Sequence, residues 1–162
     1  MAAGGADESP AERIKVQFIL EQDDDGWPPA GSEDIWAIVV ASDVVKVDSI
    51  PWFVRDVALG DLISVQRTHD GRAVFHERLK WSGNCTLRVV PLADDSDAGI
   101  RDVIERLSGY GVGLEVLGQF GLVAVNVPAS IDVVGLKATL DLGEKEGWWT
   151  YEEGCVGGAW PE

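Results

Sequence analysis

The sequence predicts an α+β protein in two parts. A small antiparallel β-sheet, curled or closed as a barrel, spans residues 13–81, and a ferredoxin-like βαββαβ half spans residues 82–162. Three observations predict this. Apolar and polar residues alternate with a period of two through much of the first half. Two segments of the second half carry apolar residues at helical spacing instead. The elements of that half also fall in the order β-α-β-β-α-β.

The first strand is marked by Ile14, Val16, Phe18 and Leu20, alternating with Lys15 and Gln17. An acidic, proline-containing stretch from Glu21 to Asp34 reads as a loop. Apolar runs at Ile35–Val40 and Val44–Val47 flank a turn at Ser42-Asp43, and Pro51 breaks the chain ahead of Trp52-Phe53. Leu62–Thr68 and Arg72–Leu79 flank Asp70-Gly71, a pair that accepts the positive φ angles of a tight hairpin. Five short strands separated by turns are what a curled sheet or small barrel requires.

Beyond Ser82-Gly83-Asn84 the rhythm changes. Thr86–Leu92 is a strand. Asp94-Asp95-Ser96-Asp97 then supplies side-chain oxygens for the free N–H groups of a helix's first turn. Ile100, Val103, Ile104 and Leu107 share one face of that helix, which Gly109, Gly111 and Gly113 end. Val112–Leu117 and Leu122–Val127 are strands turned around Gly118 and Gly121. Ser130 is the expected cap of a second helix bearing Val133, Leu136 and Leu140 and closed by Gly143. Trp148–Glu153 reads as the last strand.

Charge narrows the function. The chain carries 28 acidic and 13 basic side chains, a formal net charge of −15. The excess is −7 over residues 1–81 and −8 over residues 82–162, so both halves repel a phosphate backbone or an anionic membrane and attract a basic protein. Cys85 and Cys155 are too few for a disulfide framework, and no run approaches the length of a membrane span. Residues 1–12 are rich in Ala, Gly and acid and lack the pattern of a signal peptide, so they read as a disordered leader. A cytoplasmic protein with reduced thiols is expected.

Motifs for chemistry are weak. Gln119–Val125 overlays the aromatic third strand of an RNA-recognition sheet only at Phe120, Gly121 and Val123, and the basic head of that motif is missing. A Cys85–His76 pair is conceivable one strand apart, but nothing in the sequence supplies an orienting acid, and His69 sits beside a solvated turn. Neither Asp23–Asp25 nor Asp94–Asp97 opens a calcium loop, and no His or Cys pair has zinc spacing. Neither a cofactor nor a metal is expected.

Several segments together resemble the bacterial domain-of-unknown-function family 4265. They are Val16–Leu20, Gly26-Trp27-Pro28-Pro29, Glu33–Ala37, Ile50-Pro51-Trp52-Phe53, Val57–Asp61 and Ser82–Arg88. The resemblance covers nearly the whole ordered chain and implies a stand-alone bacterial cytoplasmic protein, but it carries no activity with it. It also implies His in relatives at the position of Asn84, so imidazole chemistry there is absent from this chain. Trp27, Trp52, Phe53, Asp61, Asn84 and Arg88, which lie in these segments, are the candidate binding residues.

The expected function is that of a non-catalytic acidic binding protein, such as an immunity-type inhibitor of a basic protein. The alternative is a small-molecule or peptide binder of resistance or biosynthesis, its cleft between the halves lined by Trp27, Trp36, Trp52 and Trp81. An enzyme using carboxylates alone ranks below both. Trp148, Trp149 and Trp160 are candidates for a homodimer surface.

Overall fold

The computed structural model describes residues 11–161, over which the chain is α+β, with nine strands in two sheets and two α-helices. Most of the expected leader, residues 1–10, lies outside the described residues.

Strands β1 (Arg13–Ile19), β2 (Ser32–Ala41), β3 (Val44–Val47), β4 (Leu62–Arg67) and β5 (Ala73–Lys80) close into a barrel. Consecutive strands pair antiparallel, but the barrel closes through a parallel contact of β1 with β5, Val16 opposite Ala73 and Gln17 opposite Val74. The expected antiparallel sheet thus has one parallel pairing. With an odd number of up-and-down strands, the first and the last must run the same way when they meet. Inward positions of the alternation fill the interior, among them Val16, Phe18, Ile35, Ala37, Val45, Val47, Ile63 and Val65. The hairpin between β4 and β5 turns as its sequence requires, with Gly71 at φ +86° and Thr68 N–H donating to Arg72 C=O at 2.8 Å. β2 begins three residues before the expected run, at Ser32 opposite Ile19, so Glu33 lies within the strand and is buried.

The second half contains β6 (Cys85–Pro91), α1 (Ser96–Leu107), β7 (Gly113–Leu117), β8 (Leu122–Val127), α2 (Val133–Lys145) and β9 (Trp149–Cys155). Its sheet has the order β7-β8-β6-β9, and every neighbouring pair is antiparallel. Asp95 caps α1 by accepting from the N–H groups of Asp97 and Ala98. The cap of α2 is Asp132, which accepts from Gly135 N–H at 3.0 Å, and not Ser130. Ser130 sits two residues earlier in a turn that Ile131 N–H closes onto Pro128 C=O. Gly143 does not close α2. It lies inside the helix, and a β-carbon there would overlap the indole of Trp149. The helix runs on to Lys145, and Gly147, at φ +77°, turns the chain away two residues later.

Both helices lie on one face of the sheet. Ile100, Val103, Leu107, Leu136 and Leu140 pack against Leu87, Val89, Val123 and Val125. Trp149 and Trp160 are buried in this cluster, and Trp148 is half-buried beneath the Arg106 guanidinium, 3.6 Å from its ring centre. Trp149 and Trp160 therefore serve the interior, whereas Trp148 keeps part of its ring exposed. The alternate residues of the sheet, Leu122 and Ala124, face the opposite way and pack with Phe53, Ile50 and Phe120. What covers the second face is thus the long connector between β3 and β4.

Candidate functional site

The connector, residues 48–61, enters the seam between barrel and sheet and must satisfy its backbone groups there. Glu33 reaches it from the barrel. Its Oε2 accepts from Trp52 N–H at 2.6 Å, and its Oε1 from Phe53 N–H at 2.9 Å and Val54 N–H at 3.1 Å. Arg88 reaches it from the sheet, donating through Nε to Trp52 C=O and through Nη2 to Val54 C=O. The third guanidinium nitrogen donates to Glu152 Oε1 at 3.2 Å, and Glu152 also faces Arg55 at 3.5 Å. The N–H donors of three connector residues and the carbonyl acceptors of two of them are therefore bound by opposite charges from opposite sides.

This clamp is dry. Arg88 is 1% exposed and Glu33 7%. Burial pushes the Glu33 carboxyl up from its ordinary value, against the pull of the three N–H donors and Arg88. Burial likewise pulls Arg88 down, with Glu152 and then Glu33 opposing it. Room for the guanidinium comes from Gly154, where any β-carbon would overlap it. Phe53 fills the same seam with Trp27 edge-on at 5.6 Å and Phe120 edge-on at 5.2 Å. Phe120 is half-buried here.

The connector's other end is held differently. Asp61 is fully buried and accepts from Ala58 N–H at 2.9 Å and from Ser82 N–H at 2.8 Å, with Arg78 at 3.6 Å. Leu59 C=O accepts from both Ser82 Oγ and Asn84 Nδ2, each at 2.7 Å. Trp81 Nε1 donates to Asn84 C=O at 2.7 Å. Residues 81–84 thus form a braced arch. Gly60, at φ +88°, lets the arch approach, since a β-carbon there would lie 3.0 Å from Ser82 Cβ. Outside the arch opens a cavity of about 460 Å³, lined by Lys46, Gly60, Leu62, Lys80, Trp81, Ser82 and Asn84.

The six candidate residues fall into two clusters along one connector. Trp27, Trp52, Phe53 and Arg88 belong to the seam, and Asp61 and Asn84 belong to the arch. Arg88, Phe53 and Asp61 are buried and Trp27, Trp52 and Asn84 are half-buried, and all of them but Asp61 line cavities. Trp36 stands apart on the barrel's outside under Arg13 and Lys15. Sequence reasoning missed Glu33, Lys46 and Lys80. The two lysines share a face only because Lys46 pairs with Leu62 and Leu62 with Lys80, a relation visible once strand order is known.

The histidines and thiols occupy other surroundings. His69 and His76 are exposed. Cys85 is buried with its Sγ 3.9 Å from Gly157 C=O, and Cys155 is buried with its Sγ 3.5 Å from Arg78 Nη1. Burial pushes both thiols up from their ordinary value. Among the described residues, no three His, Cys, Asp or Glu side chains group as metal ligands, and no helix is long and apolar enough to cross a membrane.

A family model described as "Domain of unknown function (DUF4265)" matches residues 33–151. Among solved structures, a hypothetical protein from Neisseria gonorrhoeae is similar, at 22% identity and a TM-score of 0.68. The similarity covers 90% of this chain and 98% of that one, and at this identity the likeness is one of fold. No curated protein matches the chain.

Proposed function

The chain belongs to the DUF4265 family, and on that premise we propose that it is a non-catalytic binding protein whose acidic surface takes up a basic protein partner, in the manner of an immunity-type inhibitor. One observation carries this reading: the charge of −15 is spread over both halves and is largely unneutralised. Among the described residues, seven carboxylates stand in ion pairs, those of Asp43, Asp48, Asp61, Asp70, Asp102, Asp141 and Glu152. Asp97, Glu105, Glu144 and Glu146 stand exposed on or beside the two helices that cover the sheet. An unneutralised field of this sign accelerates capture of a cationic surface and deters anionic ones.

Several further expectations form part of the proposal. The protein acts in the bacterial cytoplasm with both thiols reduced. The strand order β7-β8-β6-β9, with both helices on one face, supports reading residues 82–162 as ferredoxin-like. Trp27, Trp52, Phe53 and Arg88 act as positioning residues, fixing how the barrel and the sheet present their outer surfaces.

The test pairs the protein with the products of adjacent genes in its own genome, the basic ones first. Surface-plasmon measurements should find an association rate that falls steeply between low and physiological salt. A complex indifferent to salt, or turnover of a substrate by the isolated chain, would overturn the proposal.

A further inference from the structure

We propose that the cavity beside the arch is a binding site for a small organic anion carrying a flat apolar body. Its position runs against the charge of the molecule. Among the described residues, eight basic side chains stand in ion pairs with carboxylates, and Lys46 and Lys80 are not among them. Both line this one cavity. They sit on adjoining strands on either side of Leu62, directly in register, which sets their backbones about 10 Å apart at two inter-strand spacings. Side chains of lysine length span that gap, so both ammonium groups reach one anionic group held above Leu62.

The remaining wall suits the rest of such a ligand. Trp81 is held by its Nε1–H on Asn84 C=O, and it packs against Gly157 and Gly158, where a β-carbon would lie 3.2 Å from the ring. Trp81 also lines the cavity, so an indole fixed from behind offers apolar surface for a ring to stack on. Ser82 and Asn84 are locked by their bonds to Leu59 C=O, so this wall needs little ordering when a ligand arrives. Asp61, the acid behind the wall, is engaged by two N–H groups and Arg78. More distant carboxylates are screened over a Debye length of about 8 Å at physiological ionic strength.

The experiment uses the full chain labelled with ¹⁵N, with the Trp81 indole resonance assigned by a Trp81→Phe variant. The probes are 1-naphthoate, its neutral counterpart 1-naphthamide, and phenyl phosphate, which separates carboxylate from phosphate preference. Saturable movement of the Trp81 signal is expected with one or both anions and not with the amide. A Lys46→Gln/Lys80→Gln double variant, shown to keep its melting temperature, should weaken that binding about tenfold. Binding of the amide as tight as that of the naphthoate would overturn the proposal. So would undiminished anion binding by the double variant, or no saturable shift with either anion. Partner capture is measured separately by its salt dependence, so failure of either proposal is distinguishable from failure of the other.

Discussion

The connector between β3 and β4 is gripped at both ends, and the two grips differ in what they leave for a ligand. At Trp52–Val54, the backbone is satisfied by full charges, Glu33 on the N–H side and Arg88 on the C=O side, both of them buried in the seam. At Ala58–Asp61 the charged group is again buried, but Ser82, Asn84 and Trp81 complete the network from the rim of an open cavity. Residues of similar chemistry thus have different fates. A buried ion whose bonding capacity is consumed by backbone specifies geometry, whereas a braced wall with one side open can also receive something.

The largest expected effect tests the closed grip. Arg88→Met leaves two buried carbonyls and the Glu33 carboxylate without their cation, and it should destabilise the fold by about 3–5 kcal/mol in urea titrations. A loss below about 1 kcal/mol would erase the distinction between the two ends. Glu33→Ala should follow, at about 2–3 kcal/mol, because three buried N–H groups lose their acceptor. Gly60→Ala probes the open grip. A positive φ and the close approach to Ser82 should cost about 1–2 kcal/mol. If it cost more than Arg88→Met, the arch and not the seam would be the keystone.

The smallest effect comes from a charged contact outside both grips. Asp141 accepts from the Tyr151 hydroxyl at 2.6 Å and from Lys137 at 3.0 Å. Burial, and after it the bond to Asp141, pushes the Tyr151 phenol up to about 12. Because its folded value lies above the unfolded one, its stabilising share is complete below about pH 10 and is lost as pH rises towards 12. Asp141→Asn should lower the phenol's midpoint in an ultraviolet titration and change stability at neutral pH by less than about 1 kcal/mol. A midpoint that does not move would remove Asp141 as a cause of the shift.

How much of this was legible in the sequence depended on whether a residue's role was local. Period-two alternation located the barrel strands, and helical spacing located Ile100, Val103 and Leu107 on the buried face of α1. Glu33 reads as part of a loop in the sequence because an acid at an inward strand position makes sense only beside the three N–H groups it serves, about twenty residues away. Arg88 drew notice by resemblance alone, since in Leu87-Arg88-Val89 a charged residue reads as an outward position. Its burial is set by connector carbonyls more than thirty residues upstream. Gly143 was mistaken for a helix stop because only the Trp149 indole on the neighbouring strand shows why the helix needs a glycine there. Ser130 and Asp132 are both plausible caps, and the turn at Pro128–Ile131 decides between them.

The parallel contact of Val16 with Ala73 ties together residues far apart in the order of synthesis. The strand that leaves the ribosome first waits for the fifth before it gains its second neighbour, so barrel completion belongs late in folding. The match to the family model begins at residue 33, after that strand has ended. A polypeptide trimmed to the matched stretch would lack Val16 and Phe18 and would expose an apolar slot along β2 and β5.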